Sequence, residues 1–487
     1  MFVLLLHPQT RSVEFCHPPY TLLQLASIAD QHGWNVAILD DNVLKLPPEA
    51  LRQDLKNEAS TNKQPWDIIG IIGTSKQYKF IKQLASICRE EFPKAVIFGA
   101  GEFTTSLPSE MIKWIPQLDI GIVGEEYRTF TKILEHSASH DWENINGIAY
   151  RDGGIVRLTK KNPPIKDVDD AIPFPGYEWG QLNQYLMYSA MPYAGECMTQ
   201  QTRRLDVLTS YPNPFRQHSP EYVIKLLTYL RLKYAVNFIS FIDTNLPNDK
   251  TWFLKFCELL EETELSTVLC WGMDAHYNSV DANLLKKAND VGCRYIRFNG
   301  DATYEEMAEI IRHSKAASIN PILNFTIGKP NMTVDRLIQD LEFFIENQIA
   351  TVPDFVQPYP ETPLFSKFKD KIIEQNLTNP EESFLLMPTP QALEAVSREG
   401  LIQTVGEITQ SWINKNFEML KTTIRENTIQ RWLSSLGGSN EMSVNMTQFS
   451  DVEIAGLRYL ISTDGVRLTN KAQDLKRLEL FASYRRT

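Results

Sequence analysis

The chain has 487 residues, too many for one core and enough for about three domains. Apolar residues make up 43% and charged residues 22%, the balance of a compact soluble protein, which excludes a disordered chain. Net charge is −11 with no dense Lys/Arg run, which excludes a general nucleic-acid binder, and no stretch nears the roughly 18 uninterrupted apolar residues of a membrane span.

The opening MFVLLLHPQT carries no basic residue ahead of its apolar run. Pro8 stops that run short of a signal peptide's core, so it reads as a buried strand of a cytoplasmic protein. From there FVLLL, NVAILD, DIIGIIG, AVIFG and DIGIVG alternate with TLLQLASIADQH, PPEALRQDLKN, FIKQLASICREE, PSEMIKW and TFTKILEH. Continuous apolar strands separated by helices are what a parallel sheet covered on both faces requires. The fold class is therefore α/β, opening with a five-stranded doubly wound, Rossmann-like domain over residues 1–140.

Residues 141–204 break the rhythm and read as a connector: a small hairpin, INGIAYRDGGIVRL, then the proline- and acid-rich NPPIKDVDDAIPFPGYEW. A second rhythm over residues 205–375 (LDVLTS, FISFID, VLCWGMD, YIRFNG, PILNFTIG and DFVQPYP, with helices between) suits a partial (β/α) barrel. Residues 376–487 read as mainly helical, and the end, DVEIAGLRYLISTDGVRLT, as a helix followed by short strands.

The six cysteines Cys16, Cys88, Cys197, Cys257, Cys270 and Cys293 make no disulfide framework, and no C-x-x-C pair exists among them. They read as buried reduced thiols, and no metal ligands are assigned.

Several segments match a known pattern in order. HPPYTLLQLASIADQHGWNVAILDDNV resembles a PP-x-G-L-x-x-L-A loop and helix leading to a strand with an acidic end. DIIGIIGTS, AVIFGAGEFTTSLPSEM and DIGIVGEEYRTFTKILE resemble the third and fourth strands and an R-G-E-G-E-x-T-F element. IPFPGYEW, RQHSPEYVIKLLTYL, ISFIDTNLPNDKTWFLKFC, LLKKANDVGCRYIRF and PYPETPLF continue the series, which runs from about residue 2 to 370. In this ordered series the chain resembles the cobalamin-binding radical SAM family.

That resemblance implies cobalamin as cofactor, held at the carboxyl ends of the first domain's strands by Pro18, Pro19, Asp41, Asn42, Thr74, Ser75, Gly99, Gly101, Glu102, Thr104, Gly124 and Glu125. The small residues Gly99, Ala100 and Gly101 would let the backbone approach a large flat ligand. No D-x-H-x-x-G places a lower axial histidine, and Glu102 stands where the family commonly has a histidine. His7 and His17 read as structural or exposed residues.

The departures concern the radical chemistry. The family carries C-x-x-x-C-x-x-C after the first barrel strand, where three thiolates hold a four-iron cluster that binds SAM. Here LDVLTS ends at Ser210 and the pattern resumes at Arg216, with only Tyr211, Pro212, Asn213, Pro214 and Phe215 between them, so the 4Fe-4S cluster is expected to be absent. Tyr211 and Phe215 are expected to fill the vacated space. Asp243 takes the place of an acidic residue that in relatives can face the amino group of SAM, or else serves as a strand-end carboxylate. Phe298 to Thr303 and Gly328 to Asn331 lack the usual SAM-facing patterns, which counts against a SAM site.

The resemblance leaves three readings: a corrinoid carrier, sensor or non-radical catalyst; a scaffold partner of a cluster-bearing relative or pathway enzyme; or an atypical active methyltransferase. It implies a small-molecule ligand but names no substrate.

Overall fold

The computed structural model describes residues 1–9, 17–61, 65–74, 77–180, 182–186, 202–212, 214–327, 339–340, 343–344, 347, 350–355, 449–454, 457–462 and 465–468. They fall into two compact units. The first comprises Met1–Tyr185 together with Tyr211–Gln217, and the second centres on Leu186–Ser210 and His218–Val356.

The first unit runs β1 (Phe2–His7), α1 (Tyr20–Gln31), β2 (Asn35–Asp40), α2 (Asp41–Leu44), α3 (Pro48–Thr61), β3 (Ile68–Ile72), α4 (Tyr78–Glu91) and β4 (Val96–Ala100). It continues with α5 (Glu102–Ser106), α6 (Pro108–Trp114), β5 (Ile120–Ile122), α7 (Glu126–His136), β6 (Ile148–Asp152), β7 (Ile155–Leu158) and α8 (Val168–Ala171). The sheet order is β2-β1-β3-β4-β5-β6-β7. Both faces are buried. Val3, Leu5, Phe98 and Ile120 pack against α1 and α7 on one side, while Leu4, Leu6, Ile69 and Ile97 pack against the α3–α6 side.

The hairpin assigned by pattern to the connector belongs to this sheet. Ile148 pairs with Ile122 and Tyr150 with Ile120, both antiparallel, so β6 and β7 form its edge. The turn is made by Gly153 and Gly154 at φ +54° and +86°, the backbone that a two-residue hairpin turn needs. The order reverses at β1, since β2 lies on one side of it and β3 on the other. In an open parallel sheet, ligands bind beyond the strand ends at such a reversal.

The second unit runs β8 (Arg204–Val207), β9 (Ser210–Tyr211), β10 (Arg216–Gln217), α9 (Pro220–Tyr234), β11 (Phe238–Phe241), α10 (Lys250–Glu262), β12 (Cys270–His276) and α11 (Ala282–Asp290). It continues with β13 (Cys293–Asn299), α12 (Tyr304–Ala316), β14 (Asn320–Ile327) and β15 (Ala350–Phe355). Of β9 and β10, all but Ser210 belongs to the first unit. The six long strands form a sheet of order β15-β14-β13-β12-β11-β8, with every pair parallel. Helices α9 to α12 each start at a side chain that accepts from first-turn N–H groups: Ser219, Asp249, Asp281, and Thr303 in a capping box with Glu306.

Toward the end of the chain β16 (Phe449–Ile454), β17 (Leu457–Ser462) and β18 (Gly465–Leu468) pair antiparallel. The segment DVEI, read as helical from sequence, is thus strand, because its partner LRYLIS lies opposite it from Ile454↔Leu457 outward. The helical reading of residues 376–448 lies outside the described residues. No described helix is long and apolar enough to cross a membrane.

Candidate functional site

At the carboxyl edge of the first sheet, parallel register sets His7 of β1 beside Asp40 of β2. The His7 Nδ1 lies 3.0 Å from Asp40 Oδ1, which also accepts from the Asn42 N–H at 2.9 Å, while Asp40 Oδ2 accepts from the Tyr185 hydroxyl. Asp41 and Asn42 are buried here. Asp41 accepts from Gln9 Nε2 at 2.9 Å and from the Leu46 N–H at 3.0 Å, and burial pushes its carboxyl above the usual range. Pro18 and Pro19 are buried just ahead of α1, where their carbonyls accept from the N–H groups of Tyr20 and Leu23.

The loops after β3 and β4 meet. Gln77 Nε2 donates to the Pro8 carbonyl at 2.6 Å, and its Oε1 accepts from the N–H of Thr74, an exposed residue. Ser75 lies outside the described residues. Gly101 has φ +102°, and a Cβ there would stand 2.3 Å from the Gly73 carbonyl oxygen. A Cβ on Gly99 would meet Phe103 at 2.8 Å and Thr104 at 3.0 Å. Close packing within the unit accounts for both glycines. Thr104 is likewise occupied, as its buried hydroxyl donates to the Ile122 carbonyl at 2.7 Å. Gly124, at φ +95°, has no atom of the described residues beyond its chain neighbours within 4 Å of where its Cβ would be, so the edge is open at this point. Half-buried Glu102 opens α5.

One carboxylate here was not singled out from sequence. Glu126 begins α7 and accepts from the Gly101 N–H, and desolvation pushes its carboxyl up to about 7. The run Glu125-Glu126 shows two acids but not which of them is desolvated.

The short loop after β8 belongs to this unit as well. The Tyr211 hydroxyl accepts from Gln24 Nε2 at 3.0 Å, Gln24 Oε1 accepts from the Tyr127 hydroxyl at 2.7 Å, and the two tyrosine rings meet edge to face. Arg216 is ion-paired with Glu125 and donates to the Ile165 carbonyl at 2.7 Å. Tyr211 thus packs on the core of the first unit, whereas Phe215 is 43% exposed and fills no interior space.

In the second unit Asp243 is fully enclosed just beyond β11. It accepts from the Thr209 N–H at 3.0 Å and from the Ser210 hydroxyl, and burial raises its carboxyl to about 6 despite those bonds. It thus closes the strand end in the manner of the structural alternative. One face of this sheet carries apolar side chains toward the helices, with Phe241 and Trp271 packed on Phe256. The other face is polar. Arg204 pairs with Asp206, and Arg297 donates to both Asp274 oxygens at 2.8 and 2.7 Å. Gly272 has no side chain to block Tyr295, whose hydroxyl reaches across it to Ser240. The signal for this cluster is the alternation in RLDV and YIRFN, which a reading of the strands as continuous apolar runs passes over.

No family model matches the chain. An uncharacterized methyltransferase of Pyrococcus horikoshii is 23% identical over 395 residues, 75% of this chain and 82% of that protein. The anaerobic magnesium-protoporphyrin IX monomethyl ester cyclase of Cereibacter sphaeroides is 22% identical, over 63% of this chain and 54% of the cyclase. Among solved structures, the radical S-adenosylmethionine methyltransferase TsrM of Kitasatospora setae, with cobalamin and a [4Fe-4S] cluster bound, has a TM-score of 0.60 at 13% identity. That match covers 76% of this chain and 78% of TsrM. The cobalamin-dependent S-adenosylmethionine radical enzyme OxsB, with aqua-cobalamin and S-adenosylmethionine bound, gives 0.58 at 16% identity over 92% of this chain and 70% of OxsB.

The chain has the fold of the cobalamin-dependent radical SAM enzymes TsrM and OxsB. The described cysteines lie on separate elements. Cys270 and Cys293 begin β12 and β13, at the opposite strand ends from the loop after β8. Cys88 and Cys257 are buried in helices, and burial pushes both thiols up to about 12, so they are not thiolates at neutral pH. Cys16 and Cys197 lie outside the described residues. Among the described residues no three His, Cys, Asp or Glu side chains group to hold a metal ion.

Proposed function

We propose that the chain binds cobalamin at the carboxyl edge of its first sheet and holds no iron–sulfur cluster in its second unit. On this reading it works as a corrinoid carrier, sensor or non-radical catalyst and does not cleave SAM reductively. The observation that carries the reading is the loop after β8. It contains no cysteine between Ser210 and Arg216, and three of its side chains are already committed, Ser210 to Asp243, Tyr211 to Gln24 and Arg216 to Glu125. A cluster that leaves one iron for SAM needs three thiolates, and the residues on this loop do not fit that need.

The edge of the first sheet suits a large, amide-fringed ligand. Gly124 leaves open space, and Glu102 and Glu126 bring carboxylates to the same strand ends. Buried Asp41 and Asn42 close the neighbouring β2 end. The likeness to TsrM and OxsB, both solved with cobalamin, supports the assignment. Bound cobalamin supplies a cobalt centre able to carry an alkyl group, and the chain's own part is to seat and orient it.

The test is anaerobic reconstitution of the full chain with hydroxocobalamin, iron, sulfide and strong reductant. A corrin absorption spectrum, no bound iron, and no 5′-deoxyadenosine above a no-protein blank are expected. Production of 5′-deoxyadenosine overturns the cluster-free reading. A colourless protein that co-purifies with a cluster-bearing relative favours a scaffold role instead.

A further inference from the structure

His7 is the last residue of β1, the strand at which the first sheet reverses its order. Its partner Asp40 is held on both oxygens, by the Asn42 N–H and by the hydroxyl of buried Tyr185, and its side chain is only 6% exposed. A carboxylate accepts and does not donate, so the His7 Nδ1 is the donor, and in the neutral imidazole the lone pair lies on Nε2. The His7 side chain is 18% exposed, and among the described residues its ring makes no hydrogen bond besides the one to Asp40.

A histidine whose one nitrogen is fixed by a carboxylate, and whose carboxylate is fixed in turn, has the arrangement that orients metal-binding imidazoles and raises their basicity. A bare ion needs several protein ligands, and the described residues offer no such group. One imidazole is enough for a metal that arrives with its other positions filled, as cobalt does within a corrin ring.

We propose that His7 Nε2 is an axial ligand to the cobalt of a bound corrinoid, with Asp40 and Tyr185 as positioning residues. This inference rests on the cobalamin reading above and replaces the sequence-based view of His7 as a structural or exposed residue.

The test uses the full chain reconstituted with hydroxocobalamin, reduced to the cobalt(II) form, and measured by electron paramagnetic resonance. Protein grown with ordinary histidine is compared with protein grown with histidine labelled with nitrogen-15 in its ring. The expected result is a nitrogen splitting of the cobalt signal that changes with the label and is lost in His7→Gln, while the corrin absorption of that variant persists. Should His7→Gln not fold, His7→Gly supplemented with labelled imidazole is expected to regain the label-dependent splitting. A bound corrin whose nitrogen splitting ignores the label, or that shows no nitrogen splitting, overturns the axial assignment and leaves the cobalamin reading standing. Protein that takes up no corrin overturns both.

Discussion

Arg216, from the short loop after β8, is ion-paired with Glu125 at the start of α7, and both reach Ile165: Arg216 donates to its carbonyl at 2.7 Å and Glu125 accepts from its N–H at 2.8 Å. The Arg216 guanidinium also lies 5.8 Å from the Tyr211 ring centroid. The short loop after β8 is thereby bonded into the first unit by polar side chains at both of its ends.

Arg216→Ala is therefore expected to lower stability by about 1–3 kcal/mol, because it strands a partly buried carboxylate and a carbonyl. Tyr211→Phe, which keeps the ring contact but loses the Gln24 bond, should cost about 1 kcal/mol, and Phe215→Ser should stay within about 0.5 kcal/mol. Denaturant titration of the three variants checks the order. A Phe215 effect equal to that of Arg216 would mean that the aromatic ring, rather than the ion pair, anchors the loop.

Gly101→Ala is expected to destabilise by about 2–4 kcal/mol, since the new methyl meets a backbone oxygen that cannot step aside and the φ is already positive. Gly124→Ala has the same backbone handicap but open space around it, so about 1 kcal/mol is expected. Thermal melts without any corrin present separate the two. Equal losses would show that backbone conformation alone decides.

Asp243→Ala leaves the buried Thr209 N–H and Ser210 hydroxyl without their acceptor, at a cost of about 2–4 kcal/mol, whereas Asp243→Asn keeps one acceptor oxygen and should lose about half as much. Calorimetry combined with SAM titration tests the assignment. Weaker SAM binding with unchanged melting would place Asp243 in a ligand site rather than at a strand closure.

Glu126 titrates near 7 in the fold against an ordinary 4.5. Between those values the unfolded chain gives up its proton while the fold keeps it, so stability from this group is complete below about 4.5 and is lost as pH rises through about 7. Glu126→Gln is expected to be the more stable protein at about pH 8, with the gap closing toward about pH 4. Melting temperature against pH for both proteins measures this. A gap that widens in acid would reverse the sign and disprove the desolvation account.

The sequence by itself determined the parallel α/β character of both units. Strands covered on both faces must be apolar throughout, as FVLLL and DIIGIIG are in the first unit, while in the second the strand–helix rhythm carries the reading. It also determined that the loop after β8 carries no cysteine, which is a fact of composition. The sheet edge at residues 148–158 was less legible, since a hairpin's sequence states its turn but not which strand it will lie beside. Tertiary structure alone decided the roles of individual polar residues. Gly99 and Gly101 look alike in a chain that could be making room for a ligand, yet Phe103 and the Gly73 carbonyl occupy the space their side chains would need. His7 and Asp40 are brought together by parallel register, and Arg216 and Glu125 by a loop returning to α7. The physical reason is range. Hydrophobic periodicity is written in neighbouring residues and survives in one dimension, whereas a hydrogen bond or an ion pair depends on a distance of about 3 Å that only the packed fold sets.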